Sequence, residues 1–439
     1  MRERAEKHIS KHMEKHMKHN AKEVFIVATL ILFFIPGICA IYSGVHRAIE
    51  KLSNPEQRYY NVVFSEEYPF DDTDADLTTS DESALSKQYL ALANKFTNHI
   101  NNYSGINNIV SPLFLYIYGK TNVALEKNLL DDAENPVIRL TEGYLTYSYL
   151  YSQGYVKYTG IEDFNEWLMQ KDIPFLFVMP SEKSDDRYAV HPKGFPKGDY
   201  SEKENEYFKY LDDNCIPYLN SGEVLVSENE DFYSWFYKTD HHWNVRAGFL
   251  VAQAIAESLN TELELPVDID ALDKTHFNTV TYEKLFLGSQ GKKATLGYVS
   301  PEDFEVYYPL FDTLFSIEIP TKAIDRIDSF ENTLIESEYL KIENYYTNNA
   351  YAAFLYGDVP LIRIHNLNCK NGTRALMIKT SDANVVDTYL AFTVEYLDII
   401  DPRHFDGSIR SFIEKTNPDV VLTCAYPSKE LDNKMLDIK

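Results

Sequence analysis

From about residue 85 onward, short apolar segments alternate with longer segments whose apolar residues recur at helical spacing. The short segments predict buried strands and read IPFLFVM, CIPYLN, RALMIK, YLDIID and DVVLTC. The longer segments predict amphipathic helices and read IEDFNEWLMQKD, SEKENEYFKYLDDN, NVRAGFLVAQAIAESLN, DANVVDTYLAF and DGSIRSFIEKT. Strands that alternate with helices of about ten residues form parallel sheets through right-handed crossovers. The sequence therefore predicts an α/β fold.

Two details of this pattern give local predictions. Ser201 is followed three residues later by Glu204, a capping-box pattern that predicts Ser201 as the N-cap of its helix. Residues 265–345 follow neither period well, and we interpret them as an insertion or a covering element.

The residues ahead of this region predict a membrane anchor. Residues 1–23 form a basic leader, residues 24–45 contain no charged side chain, and residues 46–84 are polar with an acidic stretch. An apolar helix over 24–45 spans about 33 Å, which matches a bilayer core of roughly 30 Å. The sequence predicts a single transmembrane helix at 24–45, a stalk at 46–84 and an extracytoplasmic domain at 85–439.

Lysine and arginine are concentrated in the leader, so the positive-inside rule places the N-terminus in the cytoplasm and the large domain outside the cell. A cleaved signal peptide is the alternative, but the apolar run is longer than usual and no A-x-A site follows it. A lipoprotein site at Cys39 is disfavoured because the bulky Ile38 precedes it.

Composition excludes some classes of function. The net charge is −25, so the chain has no basic surplus with which to bind nucleic acid. The cysteines Cys215, Cys369 and Cys424 are far apart and form no CxxC pair, which disfavours a zinc ribbon or a thioredoxin-like site.

One strand-to-helix corner carries a serine. In LMIKTSDANVVD, Ser381 falls just past the predicted strand and at the start of the next helix. Ligand sites form at this edge of parallel sheets, and the free N–H groups of a helix start face it. A serine there can be a nucleophile whose own N–H helps to hold an oxyanion. The simpler alternative is an N-cap, for which serine is a preferred residue.

A second candidate is the motif TDHHWN, ahead of the strongest predicted helix. Asp240 and His242 are separated by one residue, so a turn can direct both side chains to one point. The carboxylate would hold the imidazole Nδ1–H and leave Nε2 as a base for a serine. Two alternatives stay open: a metal site that uses His241 and His242, and a capped helix start with Asp240 as the N-cap. Adjacent ring nitrogens rarely converge on one ion, and the chain has no HExxH motif.

TDHHWN resembles the signature of the DHHW protein family, which is similar to the SGNH-hydrolase-like proteins of alginate O-acetylation. Further blocks agree in order along the chain: FLGSQGKKATLGYVSPEDFEVYYP, AFLYGDVPLIRIHN, LMIKTSDAN and LDIIDPRHF. The resemblance covers roughly residues 85–439. It implies an SGNH-hydrolase-like, flavodoxin-like fold, with helices on both faces of a parallel sheet.

The resemblance also implies roles for single residues. Ser381 would be the nucleophile, His242 the base and Asp240 the orienting carboxylate of a triad. Gly357 would lend a backbone N–H to the oxyanion hole.

Further residues are expected beside this triad: His241, Trp243 and Ser289 as substrate-binding or supporting residues, with Asp358 after the oxyanion glycine. The sequence departs from the family pattern at two places. Thr380 stands where an aspartate is usual before the serine, and Asp358 stands where an asparagine is expected. An ionised Asp358 would repel an oxyanion unless it points away or is protonated.

The resemblance implies a membrane-anchored O-acyltransferase or esterase of a bacterial cell surface. It would act on acyl groups, above all acetyl, of a polysaccharide. It would need no cofactor or metal, and a membrane-bound O-acyltransferase would supply the acyl group. The alternative is a non-catalytic surface protein that binds glycan or scaffolds an export complex, which the 14% aromatic content and the two departures also fit.

Overall fold

The structure is a computed structural model that describes residues 107–130, 136–147, 160–192, 200–341 and 344–437. The predicted leader, transmembrane helix and stalk lie outside these residues and remain predictions. In the part of the chain that is described, no helix is both long and apolar enough to cross a membrane.

The chain divides into two compact units, Met1–Glu126 and Lys127–Lys439. Helix α1, Asn107–Ala124, is described in the first unit. The second unit contains the alternating pattern of strands and helices, and the candidate site lies within it.

The strands described in the second unit are Leu129–Leu130 (β1), Val137–Arg139 (β2), Leu145–Tyr147 (β3), Phe175–Met179 (β4), Tyr218–Asn220 (β5), Phe277–Phe286 (β6), Glu302–Pro309 (β7), Phe315–Ile319 (β8), Ile324–Asp328 (β9), Leu361–Asn366 (β10), Arg374–Lys379 (β11), Tyr396–Ile400 (β12) and Val420–Cys424 (β13). The helices described there are Gly160–Met169 (α2), Tyr200–Asp213 (α3), Ser221–Ser227 (α4), Val245–Thr261 (α5), Ser289–Ala294 (α6), Phe330–Thr333 (α7), Ala383–Leu390 (α8), Ile409–Thr416 (α9) and Lys429–Met435 (α10). Each strand and helix quoted from the sequence overlaps one of these elements.

A large mixed sheet forms the centre of the second unit, with the strand order β5-β4-β13-β11-β12-β10-β8-β9. The five strands from β5 to β12 run parallel to one another, and they are the five strands predicted from the sequence. Strands β6 and β7 form a separate antiparallel pair, and β1, β2 and β3 form a small antiparallel sheet.

The prediction of a wholly parallel sheet is wrong for three strands. Strands β10, β8 and β9 join the sheet antiparallel beyond β12. Strand β8, FSIEI, alternates buried with more exposed residues, as antiparallel strands with one solvated side do. Because β8 and β9 fall within residues 265–345, part of this segment extends the main sheet.

Helices cover both faces of the parallel strands, because successive side chains of a strand point to opposite sides. In β4, Leu176 and Val178 pack in one apolar cluster with residues of α5 and α8. Phe175 and Phe177 pack in a second cluster with residues of α2, α3 and α9. The two faces are therefore separate apolar layers, as the resemblance implied.

Helices α5 and α8 pack closely on one face of the sheet. Gly248 of α5 is so close to α8 that a Cβ there would meet Val385 Cγ1 at 2.2 Å. Asn244 caps α5 by accepting two backbone N–H bonds of its first turn. The cap is therefore Asn244 rather than Asp240, which leaves the Asp240 carboxylate for other contacts.

The predicted Ser201 cap is wrong, because helix α3 begins one residue earlier, at Tyr200. The N–H and hydroxyl groups of Ser201 both donate to the Asp186 carboxylate, at 2.7 Å and 2.9 Å. Glu204 is buried; its carboxylate pairs with Arg187 and accepts the Tyr200 hydroxyl, and it makes no bond to the backbone of Ser201.

Candidate active site

Ser381 lies at the edge of the sheet where the parallel strands end. The N–H of Thr380 donates to the Cys424 carbonyl at 3.1 Å, which extends the pairing of β11 with β13 by one residue. The Ser381 carbonyl then accepts the N–H of Asn384 at 3.1 Å, and α8 begins at Ala383. The serine therefore occupies the tight turn between strand and helix, as predicted.

The structure brings Ser381, His242 and Asp240 into one line of hydrogen bonds. Ser381 Oγ lies 2.8 Å from His242 Nε2. On the other side of the ring, His242 Nδ1 lies 2.5 Å from Asp240 Oδ1. The side chains of His242 and Asp240 are only 8% and 5% exposed, so water screens this pair little.

A short loop shapes this arrangement. Phe236 and Trp243 form an isolated antiparallel bridge, which folds the residues between them into a hairpin-like loop. Within the loop, Asp240 Oδ1 also accepts the backbone N–H of His242 at 3.1 Å. The second oxygen, Oδ2, accepts the N–H of Ser289 at 2.6 Å. Both carboxylate oxygens are thus fixed, so the Asp240 side chain has little freedom to rotate.

The surroundings set opposite protonation preferences for the pair. Burial alone would lower the pKa of His242, but the charge of Asp240 and its hydrogen bond raise that pKa above the usual value. Burial alone would raise the pKa of Asp240, but His241 and His242 hold it well below the usual range. Asp240 is therefore ionised near neutral pH, and the pair suits a base that becomes an imidazolium during reaction.

Glu302 and Thr239 hold the loop from the side of strand β7. The Glu302 carboxylate accepts the N–H groups of Lys238 and Thr239, both at 2.7 Å, and also the Thr239 hydroxyl. Thr239 Oγ1 in turn accepts the N–H of Gly288 at 2.9 Å. These bonds join the loop to the start of α6, where the N–H of Ser289 reaches Asp240.

Lys183 holds the same loop from below, and sequence reasoning missed it. It follows β4 at the sheet edge, and its side chain is fully buried. Its ammonium group donates to the carbonyls of Tyr237 and Asp240 and to Gln290 Oε1. Burial lowers the pKa of Lys183 to about 7, and the carboxylates of Glu302 and Asp240 act against that change. The only signal in the sequence is a polar residue just past a buried strand.

Trp243 is placed behind the triad and offers no surface to a substrate. Its side chain is 1% exposed, and its indole N–H donates to the Asp382 carbonyl at 2.8 Å. Tyr351 donates to the same carbonyl at 3.0 Å and stacks on the His242 ring at 4.0 Å. Both aromatic residues therefore hold the turn after Ser381 against the His242 ring.

His241 and Ser289 lie on the outer side of the triad. His241 Nδ1 is 3.0 Å from Ser289 Oγ, and the Tyr147 hydroxyl donates to the same oxygen at 3.1 Å. The ring of His241 contacts that of His242, with 3.8 Å between centroids. Both residues thus lie beside His242, and their role in substrate binding stays a prediction.

Gly357 lies in an unusual stretch of backbone. Leu355, Tyr356 and Gly357 all have positive φ, at 52°, 64° and 76°. Such a conformation is unfavourable for the leucine and the tyrosine, so the surrounding packing must hold it. The Gly357 N–H donates to the Phe354 carbonyl at 3.1 Å. The predicted oxyanion donor is therefore already engaged in a local turn.

The Asp358 carboxylate lies beside two cationic side chains. Its carboxylate lies 3.0 Å from Arg403 and 3.7 Å from Lys379, and it accepts a hydrogen bond from Asn384 at 3.4 Å. Burial alone would raise the pKa of Asp358, but Lys379 and Arg403 hold it below the usual value. The group is therefore ionised, and its charge is compensated. Arg403 also pairs with Asp401 at 2.6 Å.

Two groups of side chains could supply metal ligands, because their donor atoms lie close together: Asp240, His241 and His242, and Asp358, Asp401 and His404. In the first group the Asp240 carboxylate is bonded to His242 Nδ1, and His241 Nδ1 faces Ser289 Oγ. In the second, Arg403 pairs with both carboxylates. A cation in either place would compete with these bonds.

The chain was compared with known proteins. No family model matches it, and no curated protein does so. Among solved structures, PatB1 of Bacillus cereus is similar over 70% of this chain and 100% of its own, with 19% identity and a TM-score of 0.55. A DHHW family protein from Eubacterium siraeum is similar over 71% of this chain and 97% of its own, with 16% identity and a TM-score of 0.50.

The O-acetyltransferase domain of Pseudomonas putida AlgJ agrees less well, with 11% identity and a TM-score of 0.38 over 69% of this chain and 93% of its own. At these identities the matches to PatB1 and to the DHHW family protein show a shared fold only. The resemblance read from TDHHWN is confirmed at that level: this chain has the fold of a DHHW family protein.

Proposed function

We propose that this protein is a serine-dependent O-acyltransferase or esterase that acts on acyl groups of a cell-surface polysaccharide. The observation that supports it most directly is the pair of contacts at His242, which lies 2.8 Å from Ser381 Oγ and is held by Asp240 on its other side. A serine hydroxyl is a weak nucleophile unless such a base takes its proton.

The first half of the reaction forms an acyl-enzyme. His242 Nε2 removes the proton of Ser381 as Oγ attacks the carbonyl carbon of an ester. The tetrahedral intermediate then breaks its bond to the alcohol, which leaves with the proton held by His242. Asp240 stays ionised and stabilises the imidazolium between these steps.

The second half returns the enzyme to its first state. A sugar hydroxyl, or water in hydrolysis, gives its proton to His242 and attacks the acyl carbon. The bond to Ser381 Oγ breaks, and Oγ takes the proton back. The chemistry is the same for transfer and hydrolysis, and the acceptor alone differs.

The Ser381 N–H is the proposed donor to the oxyanion, because it has no acceptor among the described residues and lies at the same turn as the nucleophile. Gly357 can contribute only by exchanging its bond to the Phe354 carbonyl. Asp358 does not oppose the oxyanion as strongly as an unpaired carboxylate, since Lys379 and Arg403 compensate its charge.

The polysaccharide, the acetyl group and the membrane partner come from the family resemblance. AlgJ carries a domain described as an O-acetyltransferase, and one PatB1 structure carries a sulfonyl adduct. We propose acetyl as the acyl group, a membrane-bound O-acyltransferase as its supplier, and a location outside the cell on the predicted transmembrane helix at residues 24–45.

The test uses p-nitrophenyl acetate, with a sulfonyl fluoride as the covalent label. The wild type should release nitrophenol in a burst and take up one label at Ser381. Ser381→Ala should lose both, whereas the matched control Ser227→Ala, on an exposed serine, should keep both. Labelling of Ser381→Ala equal to that of the wild type would remove Ser381 from the mechanism.

The second candidate is a non-catalytic glycan-binding protein, which the engaged Gly357 N–H and the ionised Asp358 favour. It predicts no burst in the wild type, together with glycan binding that survives replacement of Ser381, His242 and Asp240.

A further inference from the structure

His241 is the exposed member of the histidine pair. Its side chain is 39% exposed, whereas that of His242 is 8% exposed. The His242 ring lies between Tyr351 and His241, with ring centroids at 4.0 Å and 3.8 Å. A molecule that contacts the open part of His241 therefore lies directly beside the base.

The hydrogen bonds around His241 define the form of its ring. Tyr147 donates to Ser289 Oγ, which leaves the Ser289 hydroxyl hydrogen for His241 Nδ1 at 3.0 Å. Asp240 Oδ1 is 3.6 Å from that nitrogen, beyond hydrogen-bonding distance, and is already used by His242. A neutral ring that accepts at Nδ1 carries its proton on Nε2.

The same surroundings keep the His241 ring neutral. Burial of part of the ring lowers the pKa of His241, and the neighbouring His242 lowers it further. A neutral N–H suits the lone pair of a hydroxyl oxygen, whereas carboxylate and phosphate groups are bound best by cations. The Tyr147 ring lies 5.9 Å from the His241 ring and adds an apolar surface of the kind that sugar rings contact.

The two imidazoles therefore offer complementary functions side by side. His242 Nε2 accepts a proton, and His241 Nε2–H donates a hydrogen bond. Neighbouring hydroxyls of a sugar ring present the matching pair: an O–H to be deprotonated and an oxygen lone pair. We propose that His241 binds the second hydroxyl of a vicinal diol whose first hydroxyl is the acyl acceptor at His242.

This proposal rests on the acyl-transfer function proposed above and narrows its acceptor to a sugar with free neighbouring hydroxyls. In the transfer step, the first hydroxyl loses its proton to His242 and its oxygen bonds to the acyl carbon. The bond to Ser381 Oγ breaks, and Oγ takes the proton from His242. His241 keeps its own proton throughout and holds the second hydroxyl in place.

The experiment measures how the acyl-enzyme made from p-nitrophenyl acetate partitions between water and an added alcohol. The probes are cis-cyclohexane-1,2-diol and cyclohexanol, which differ by one hydroxyl. One added hydrogen bond corresponds to a preference of about fivefold for the diol in the wild type. His241→Phe keeps a ring without a donor and should lose this preference. His241→Gln keeps an N–H near the position of Nε2 and should retain most of it.

The design separates a role of His241 from slow acylation and from the loss of any surface histidine. The partition ratio is fixed after the acyl-enzyme has formed, so a variant that acylates slowly is still informative. His276→Ala, at an exposed histidine before β6, controls for loss of a surface histidine and should keep the preference. Ser289→Ala and Tyr147→Phe should weaken the diol preference, because they remove hydrogen bonds that keep the His241 proton on Nε2.

An unchanged diol preference in His241→Phe overturns the proposal, and so does a wild type that uses both alcohols equally. A wild type that forms no acyl-enzyme overturns the proposed function itself, and the diol site falls with it. The two failures are therefore distinguishable, since the first leaves the burst of nitrophenol intact.

Discussion

Gly288 lies against the side chain of Asp240, so that a Cβ on residue 288 would meet Asp240 Cβ at 2.2 Å and Oδ2 at 2.5 Å. This close approach positions the Asp240 carboxylate, because the next residue, Ser289, donates its N–H to Asp240 Oδ2. Only a residue without a side chain allows the loop that ends at α6 to approach the carboxylate in this way.

Replacing Gly288 by alanine should therefore displace Asp240 and misalign His242. We expect kcat/KM for p-nitrophenyl acetate to fall by about 10–100-fold, a loss typical of a displaced catalytic group. Gly372→Ala is the control, because a Cβ there meets nothing within 4 Å although φ is +80°. It should cost about 1 kcal/mol of stability without loss of activity. Equal activity in the two variants would contradict the role assigned to Gly288.

The raised pKa of His242 sets the acid limb of the pH profile. The base must be unprotonated in the free enzyme, so kcat/KM should rise with pH and reach half of its plateau above pH 6.5, the ordinary value for histidine. Asp240→Asn removes the charge that raises this pKa, so its midpoint should move to lower pH. Its plateau should fall by about 10³–10⁴-fold because the ring loses its correct tautomer. An unchanged midpoint in Asp240→Asn would count against this explanation.

Asp358 should also act on His242, but through charge alone. Its carboxylate contributes to the raised pKa of His242. Asp358→Asn should therefore move the acid limb to lower pH and should keep most of the plateau. Asp325→Asn, on the edge strand β9, is the control and should leave the profile unmoved. A profile for Asp358→Asn that overlays the wild type would exclude an electrostatic role.

Asp387 of α8 should make the protein less stable as the pH rises. Its side chain is fully buried, its oxygens have no hydrogen-bond partner in the described part of the chain, and burial raises its pKa to about 8 against the opposing effect of Lys379. Because the folded-state pKa is raised, this stability is complete below about pH 4 and is lost as the pH rises towards 8. Asp387→Asn removes the ionisation.

Urea unfolding at several pH values tests this expectation. Between pH 5 and 8 the free energy of unfolding of the wild type should fall relative to that of Asp387→Asn by on the order of 3 kcal/mol. The comparison is made as a difference between the two proteins, so other titrating groups cancel. Parallel curves over this pH range would show that Asp387 is not protonated in the native state.

Much of the fold was predictable because its strongest signals are local. Each parallel strand is an apolar run bounded by polar residues, and each helix between them carries a clear apolar face. Strands such as β8 and β9 gave no such signal. Both are five residues long. Strand β8 alternates buried with more exposed residues and pairs with β10, whereas β9 is mostly exposed and pairs with β8.

Part of the site could be predicted, because the spacing of residues and the ends of strands indicate where some of its side chains lie. Asp240 and His242 are neighbours in one turn, and Ser381 follows a strand. Their meeting across 139 residues needed the family resemblance. The direction of the Gly357 N–H was not predictable, because it depends on the positive φ of Leu355 and Tyr356, residues that rarely adopt that conformation.

Lys183 gives the loop between Phe236 and Trp243 a property that no pattern in the sequence suggested. The loop cannot lift away from the sheet without breaking the bonds from the buried Lys183 ammonium group to the Tyr237 and Asp240 carbonyls, which costs several kcal/mol. Local opening is therefore disfavoured, and the loop should open only when the sheet does. The backbone amide hydrogens of His242 and Ser289 should then exchange with solvent as slowly as those of β4. The candidate site would in that case belong to the most protected part of the molecule.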